Sequence, residues 1–366
     1  MPLDKPHRMP HRIPPHTPSR GRSLRVAAAA AVVAAAMHAQ AVAAEPHTTL
    51  PQRFSTGDCV TQRLRFDAGR VFDLAGTDSR RFTVDRTQFD FTKDYGAVAI
   101  AQGTAVLSLV GSSATPAGGA LGARLSTTRY MLYGRITARL TPAVDPGVVS
   151  TFITWSDFQN TLPSGEIIQD EIDWEIVGKN PAKPETNLFT GKASDYERNS
   201  HGGPIAGNIT VGEPHDFFID WKPDRIEWGV DGVVHRTQLK SQSVAADPSH
   251  LPPGAFWFSE TPSRVQLSVW DGSGGAQQVW AGGPIAWGDR PQISVPFEWV
   301  DIQCYDSAGS PVPRWAADGS GPTAETGAGK ASTTGASNSV WRSARHGHWS
   351  APAAALLGCA AAVLAL

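Results

Sequence analysis

The stretch IEWGVDGVVHRT, residues 226–237, decides the fold class. Two runs rich in β-branched and aromatic residues flank Asp231-Gly232, and Asp-Gly between two such runs is typical of a tight β-hairpin. Similar short alternating runs, bounded by Gly, Pro, Asp and Asn, recur over residues 105–110, 130–140, 148–155, 216–221, 265–270 and 297–304. Because no long stretch has a helical period, the pattern predicts an all-β domain, either a sandwich or a barrel.

The composition narrows the class of protein further. The chain has 366 residues, enough for one large domain or two ordinary ones, and its 36 Gly and 28 Pro are too many for a compact helical bundle. With 32 basic and 34 acidic residues the net charge is −2, so the chain has no overall basic field and we expect no nucleic-acid partner. The histidines have no zinc spacing and there is no phosphate-binding loop, so we expect neither a metal nor a cofactor.

The N-terminal segment differs from the middle of the chain. Residues 1–25 carry six Lys and Arg against the single acid Asp4, an apolar run follows over 26–37, and small residues fill 39–44. This order predicts a secretory signal peptide over residues 1–44. A mitochondrial transit peptide is the main alternative, but the Ala/Val block lacks an amphipathic period.

The C-terminal segment mirrors this arrangement. Residues 351–366 are uncharged and follow a polar spacer. The pattern predicts a glycosylphosphatidylinositol (GPI) anchor signal, in which residues 338–366 are removed and Ser337 or Asn338 is the attachment residue. A single-pass anchor helix is the alternative, although a membrane span needs ~20 residues.

The segment before this signal predicts a stalk, because residues 307–337 are mainly Ser, Thr, Gly, Ala and Pro and cannot bury a core. The folded domain is therefore expected within residues 45–306. We expect a secreted monomer on the outer face of the plasma membrane, with membrane contact only through the lipid anchor.

The cysteines agree with a secreted protein. Cys359 lies in the expected propeptide, which leaves Cys59 and Cys304 as one pair. A disulfide between them is expected, with two buried free thiols as the alternative. Asn208 begins the one N-glycosylation sequon, Asn208-Ile209-Thr210.

The strongest chemical feature is DEIDWEIVG, residues 170–178. Side chains alternate between the faces of a strand. Three apolar residues are therefore expected to enter the core, namely Ile172, Trp174 and Ile176. Three acids are expected on the opposite face, namely Glu171, Asp173 and Glu175. Like charges in a row repel each other and raise pKa values, so folding alone does not favour this arrangement.

Glycoside hydrolysis gives a reason for it, because that reaction uses one carboxylate and one carboxylic acid. Glu171 and Glu175 are ~13 Å apart along a strand at ~3.3 Å per residue, and their long side chains on a concave sheet could approach ~5–6 Å. That separation fits a retaining double displacement, with Glu171 as nucleophile, Glu175 as acid and base, and Asp173 assisting. A solvated strand face or a calcium site is the alternative, but calcium favours turning loops.

Residues 170–175 resemble the E-x-D-x-E signature of glycoside hydrolase family 16. Residues 215–232, HDFFIDWKPDRIEWGVDG, resemble a second motif run of the same family. Residues 147–152, 156–157, 186–189 and 280–283 are similar to the fungal Crh-type cell-wall transglycosylases. Those proteins are located in the cell wall as well as at the plasma membrane, so the resemblance adds the cell wall as a location.

The resemblance spans residues 95–290 and implies a β-jelly roll with a concave sugar-binding cleft. It implies the same three roles for Glu171, Asp173 and Glu175, with chitin as donor and β-glucan as acceptor. Two departures stand out. The segment 158–169 is longer than the usual link before the acidic strand, which could change the acceptor that fits, and the family's Cys-rich N-terminal segment is absent.

Substrate-binding residues are expected from the same pattern. In residues 264–270 the apolar side chains take one face, which leaves Gln266 and Trp270 on the polar face suited to a sugar. The resemblance places both on the donor side and adds Gln277 as a weaker match, while Asn187 and Lys192 are candidates on the acceptor side. Two rival functions stay open: hydrolysis of β-1,3(4)-glucan or chitin by the same residues, and a non-catalytic carbohydrate-binding wall protein.

Overall fold

The structure is a computed structural model that describes residues 57–74, 79–111, 120–157, 160–161, 167–168, 170–190, 200–243 and 256–315. The expected signal peptide, Lys192, Ser337, Asn338 and the C-terminal propeptide lie outside the described residues.

The described residues form nineteen strands, which in chain order are β1 (Gln62–Arg65), β2 (Val71–Asp73), β3 (Phe91–Tyr95), β4 (Ala97–Ala101), β5 (Thr104–Val110), β6 (Ala123–Thr127), β7 (Gly134–Leu140), β8 (Val148–Trp155), β9 (Asn160–Thr161), β10 (Ile167–Ile168), β11 (Asp170–Val177), β12 (Glu185–Thr190), β13 (Ser200–Pro204), β14 (His215–Trp221), β15 (Arg225–Val230), β16 (Val233–Leu239), β17 (Arg264–Asp271), β18 (Gln292–Tyr305) and β19 (Pro311–Val312). One α-helical turn, α1 (Gln278–Ala281), follows a 3-10 turn at Gly275–Gln277. Three further 3-10 turns are Ala68–Arg70, Ser79–Phe82 and Lys240–Gln242. Among the described helices, none is both long and apolar enough to cross a membrane.

Two large sheets dominate the described part of the chain. The site sheet has the order β13-β12-β11-β8-β17-β6-β3-β2. The back sheet has the order β16-β15-β14-β7-β18-β5-β4, with β1 and β19 also paired to β18. Their facing sides share one hydrophobic core, to which the back sheet contributes Phe217 and Trp221 and the site sheet contributes Trp174 and Leu267. The predicted all-β sandwich is confirmed, since stacked sheets bury one face each.

The hairpin at the opening stretch forms as predicted. Strands β15 and β16 pair directly, with Val230 opposite Val233. Asp231 and Gly232 have φ values of 51° and 80°. Two left-handed residues in a row match the twist of the flanking strands, and Asp-Gly tolerates that conformation.

Two predicted strand boundaries were wrong. The run expected over 130–140 becomes a strand only at Gly134, because Tyr133 has a φ of 67° and bends the chain before it. The run expected over 297–304 lies inside the 14-residue strand β18, which begins at Gln292 and includes Pro296. Pro296 made the alternating pattern look as if a strand began after it. In the sheet the strand continues through Pro296, and its pairing with β7 shifts register between Phe297 and Trp299.

The predicted disulfide is confirmed. Cys59 and Cys304 are bonded with a Cα–Cα distance of 6.0 Å, which joins the segment before β1 to the end of β18.

The packed domain continues past the expected boundary at residue 306. Strand β19 pairs with the end of β18, and Trp315 is buried with its indole Nε1 donating to the carbonyl of Tyr305 at 2.6 Å. Residues 307–315 therefore belong to the sandwich and not to a stalk. The sequence did not predict this strand because β19 is only two residues long, too short to show an alternating pattern within a Ser- and Gly-rich segment.

Candidate active site

The acidic strand β11 lies between β8 and β12 in the site sheet. Its apolar residues enter the core as predicted, and the Trp174 indole donates to the carbonyl of Phe218 at 2.9 Å and packs edge-on against Phe217. The predicted alternation is confirmed, so the three acids face away from the core.

These three carboxylates are enclosed although they face away from the core. Glu171 is 8% exposed, Asp173 2% and Glu175 7%. An outward face of a sheet is shielded to this degree only where neighbouring side chains and loops surround it. The acids therefore line a recess, as the predicted cleft requires.

Strand register aligns the three acids with side chains of neighbouring strands in three rows. The Glu171 row continues to Phe189, Trp155 and Arg264. The Asp173 row continues to Asn187, Ile153, Gln266 and Ser126. The Glu175 row continues to Glu185, Thr151, Ser268 and Arg124. Because cross-strand partners share a face, these polar side chains belong to the same recess.

The surroundings of Asp173 favour its protonated form. Burial raises its pKa well above the usual range, and the charges of Glu171 and Glu175 raise it further. A hydrogen bond between the Asp173 and Glu171 side chains also favours the proton on Asp173. Asp173 therefore donates to Glu171 and leaves Glu171 as the acceptor.

Glu175 has the properties of a general acid. Burial raises its pKa to about 8, with further contributions from the charges of Glu185 and Glu171. The amide Nδ2 of Asn187 donates to Glu175 Oε2 and lowers the pKa in part. At neutral pH the side chain holds a proton that it can deliver, which is the protonation state an acid catalyst needs.

Glu185 is a fourth acid of the recess that the sequence reasoning missed. It is the register partner of Glu175 on the neighbouring strand, and its Oε2 accepts from the Trp280 indole Nε1 at 3.2 Å. Burial raises its pKa, while Trp280 and Lys179 lower it. The signal that could have found it is its position two residues before Asn187, which places both on one face of a strand.

Two of the predicted donor-side residues, Gln266 and Trp270, lie on the site face of β17. Gln266 is in the Asp173 row and 1% exposed, and its Oε1 has no hydrogen-bond partner among the described residues. Trp270 is on the same face of β17, and its ring stacks on Trp280 with centroids 6.0 Å apart. Gln277 is fully buried ahead of α1, and neither amide atom has a partner in the described part of the chain. Their contacts with a sugar stay predictions.

The predicted acceptor-side residues have different outcomes. The Asn187 amide Nδ2 donates to Glu175 Oε2, and the contact of Asn187 with an acceptor sugar stays a prediction. Lys192 lies outside the described residues.

The start of the acidic strand is anchored by Asp170. Its Oδ2 accepts from the backbone N–H of Glu260 at 2.8 Å, and from the N–H and hydroxyl of Thr261 at 2.9 and 2.6 Å. Burial raises the Asp170 pKa to about 6 despite these three bonds, which lower it. The anchor fixes the position of Glu171, the next residue along the strand.

A buried ion pair closes the Glu171 row. Arg264 Nε donates to Asp157 Oδ2 at 2.7 Å, and the Tyr130 hydroxyl donates to the same oxygen at 2.7 Å. Burial alone would raise the pKa of Asp157, but the positive charge of Arg264 and the hydrogen bond from Tyr130 help to hold it below its usual value. Both groups are therefore charged, and a paired, hydrogen-bonded ion is the form in which charge is tolerated at such a site.

The long segment before the acidic strand contains a small sheet of its own. In its described residues, β9 and β10 pair with Ile167 opposite Thr161. This short two-stranded ribbon immediately precedes Asp170 in the sequence.

A family comparison agrees with this site. Residues 85–289, more than half of the 366-residue chain, match the model of glycosyl hydrolases family 16. The chain belongs to this family. The matched residues include all three acids of β11, so the family resemblance predicted from the acidic strand is confirmed.

The similar proteins are of the Crh type, as predicted. Over 198 residues, 51% of this chain, it is 36% identical to Crh-like protein 2 of Aspergillus fumigatus, and over 206 residues, 54% of this chain, it is 32% identical to Crh-like protein 3 of Botryotinia fuckeliana. The matches cover 40% and 42% of those relatives, so the chain spans less than half of their length.

The fold resembles that of a solved Crh5 transglycosylase in complex with NAG. That similarity has a TM-score of 0.50 and 21% identity, and it covers 75% of this chain and 97% of that one.

Proposed function

We propose that this chain is a retaining transglycosylase of the fungal cell wall, which cleaves chitin and transfers it to β-glucan. One observation carries the proposal: Glu171 and Glu175 share a recessed face of β11, with a protonated Asp173 bonded to Glu171 between them. A retaining mechanism needs one carboxylate and one carboxylic acid, and the raised pKa of Glu175 supplies the acid.

In the first half-reaction the Glu171 carboxylate attacks the anomeric carbon of the donor. The bond from that carbon to the glycosidic oxygen breaks, and the oxygen takes the proton of Glu175. Asp173 stays protonated and keeps donating to Glu171, which orients the attacking carboxylate. The product is a glycosyl ester on Glu171 and an ionised Glu175.

In the second half-reaction a sugar hydroxyl of the acceptor attacks the same carbon. Glu175 takes the hydroxyl proton, and the ester bond to Glu171 breaks, which restores both side chains. Water in place of the sugar gives hydrolysis of β-1,3(4)-glucan or chitin. That second candidate is favoured by the family, which is described as glycosyl hydrolases.

Chitin as donor is supported by the similarity to Crh-like proteins and by the Crh5 transglycosylase, which was solved with NAG, the repeating sugar of chitin. The stacked rings of Trp270 and Trp280 beside the Glu175 row suit the C–H face of a sugar ring. The choice of β-glucan as acceptor rests on the Crh-type resemblance.

We also propose that the protein is secreted, held outside the cell by a GPI anchor, and monomeric. The basic and apolar N-terminal segment, the apolar C-terminal tail and the Cys59–Cys304 disulfide support an oxidising compartment. Asn208 is exposed after β13, which suits a glycan. Release of the protein from cells by a phosphatidylinositol-specific phospholipase C tests the anchor. A loss of mass on treatment with an N-glycosidase tests the glycan at Asn208.

The activity is tested on the protein secreted from the full chain. It is incubated with chitin oligomers and a labelled β-glucan acceptor, beside the variants Glu171→Gln and Glu175→Gln. A labelled hybrid product that disappears in both variants supports the proposal. Shortened oligomers without a hybrid assign the hydrolase instead, and binding without any product contradicts catalysis in favour of a carbohydrate-binding wall protein.

A further inference from the structure

Glu185 shares a face of the site sheet with the acid–base residue. It is directly opposite Glu175 in the antiparallel register of β11 and β12. The Cβ atoms of such a pair are ~5 Å apart, and like charges directly opposite each other are destabilising. Folding alone therefore does not favour a second glutamate at this position, so the pair calls for a functional explanation.

The Glu185 carboxylate is also held by a residue outside β11 and β12, Trp280 of α1. Its Oε2 accepts from the indole N–H of Trp280 at 3.2 Å. Trp280 stacks on Trp270 and packs against a small apolar cluster that includes Val149 and Val177. Glu185 therefore lies between Glu175 and the aromatic wall, the stacked pair Trp270 and Trp280 proposed to contact the donor sugar.

The acidic groups next to this pair lie on β11 and β12. Glu171 and Asp173 share the strand of Glu175, and Glu185 faces it from β12. The register partner from β8 is the neutral Thr151, and the neutral Asn187 donates to Glu175. The two charges that act on Glu175 itself, Glu185 and Glu171, are both negative.

Cations act one step further away. Lys179, just after β11, acts on Glu185, while its Nζ donates to the carbonyl of Val279 in α1. Arg236 of β16 in the back sheet acts on Asp173.

We infer that Glu185 is a positioning residue of the proposed reaction: its carboxylate, held by the Trp280 indole, keeps the proton on Glu175 until the leaving oxygen takes it. The inference rests on the proposed function. It also extends to the second half-reaction, because Glu171 loses its charge when it becomes an ester. Glu185 is then the remaining negative group beside Glu175, and it makes Glu175 a stronger base towards the acceptor hydroxyl.

The test is the pH dependence of kcat/KM for chitin-oligomer cleavage in wild type, Glu185→Gln and Glu213→Gln. Glutamine keeps an acceptor oxygen for Trp280 but removes the charge. The alkaline limb of the profile is the pH range in which kcat/KM falls because Glu175 loses its proton. In Glu185→Gln this limb is expected to lie roughly one pH unit lower, because removal of a neighbouring like charge lowers the pKa of Glu175. Above the limb, kcat/KM should be about tenfold below that of the wild type. Glu213 is an exposed acid in the turn before β14, and its variant is expected to keep the wild-type limb.

A second variant guards against a folding effect. Trp280→Phe keeps an aromatic ring but removes the N–H that stabilises the Glu185 anion, so its alkaline limb is expected to move in the same direction by a smaller amount. If the wild type cleaves chitin oligomers and the alkaline limb stays at the same pH in both Glu185→Gln and Trp280→Phe, the inference is overturned and the proposed function stands. An inactive wild-type protein would overturn the proposed function, and the inference with it.

Discussion

The two faces of strand β11 are both buried, but for opposite physical reasons. On the core face Ile172, Trp174 and Ile176 are fully enclosed, and removing their apolar surface from water stabilises the fold by ~25 cal/mol per Å². On the site face the carboxylates are almost as enclosed, and their loss of water is unfavourable to charge, as the raised pKa values of Asp173 and Glu175 record.

The difference teaches how one strand serves two purposes. The free energy gained by burying the apolar core face offsets the free energy lost by burying the carboxylates of the site face. The protein can therefore hold the three acids close together although their burial is itself destabilising. Active sites commonly trade stability for activity in this way. Substitutions on the two faces should therefore have opposite signatures.

The largest effect is expected from Glu171→Gln on the site face. Cleavage of chitin oligomers should fall by roughly a thousandfold or more, because no covalent intermediate can form. The melting temperature should stay level or rise, since the variant lacks a buried negative charge that raises the pKa values of Asp173 and Glu175. Glu213→Gln serves as the control with wild-type rate. A Glu171→Gln variant that unfolds several degrees earlier would contradict the comparison.

The next effect is expected from Trp174→Ala on the core face. The free energy of unfolding should fall by roughly 3–5 kcal/mol, because a large buried side chain is lost and the carbonyl of Phe218 loses its donor. Denaturant unfolding measures the loss. Trp299→Ala, at a half-buried position of the back sheet, should cost clearly less. Equal losses in both variants would show that the core face of β11 is not a principal source of stability.

The third prediction concerns the pH dependence of stability. An unfolded Glu ionises near 4.5, whereas folded Glu175 ionises at about 8. Between these values the folded state holds a proton that the unfolded chain has lost, so the free energy of unfolding falls as pH rises from about 4.5 to about 8.

Urea unfolding at pH 5 and pH 8 measures this fall for wild type and Glu175→Gln. The wild type should lose roughly 2–4 kcal/mol more than the variant, which has no proton to release at this position. Identical losses would mean that burial of Glu175 does not cost stability.

The smallest effect is expected from Trp270→Phe at the aromatic wall. The smaller ring weakens the stack on Trp280, so the KM for chitin oligomers should rise by roughly twofold to tenfold with little change in kcat. Steady-state kinetics at one pH measure this. A fall in kcat with an unchanged KM would remove Trp270 from the proposed donor side.

Local patterns in the sequence predicted much of the fold. The hairpin at Asp231-Gly232 and the alternation along β11 depend on backbone geometry over a few residues, and both were confirmed. The disulfide followed from there being one pair of cysteines in the expected mature chain. The errors at Gly134 and Pro296 arose where a bend or an irregular register, set by neighbouring strands, overrode the local pattern.

The site was predicted less evenly. The hydrogen bond from the Asn187 amide to Glu175 was not foreseen, although Asn187 was predicted as a sugar contact, and Glu185 was not expected at all. Both relations come from the register between β11 and β12. A register is decided by the whole sheet, and no motif within either strand specifies it.

By itself the sequence determined that three acids share one face of one strand, because side-chain alternation is a local property of extended backbone. Only the tertiary structure decided which of them carries a proton. A pKa depends on desolvation and on charges that are neighbours in space, and the partners that set Glu175 are 10 and 12 positions away along the chain, in Glu185 and Asn187.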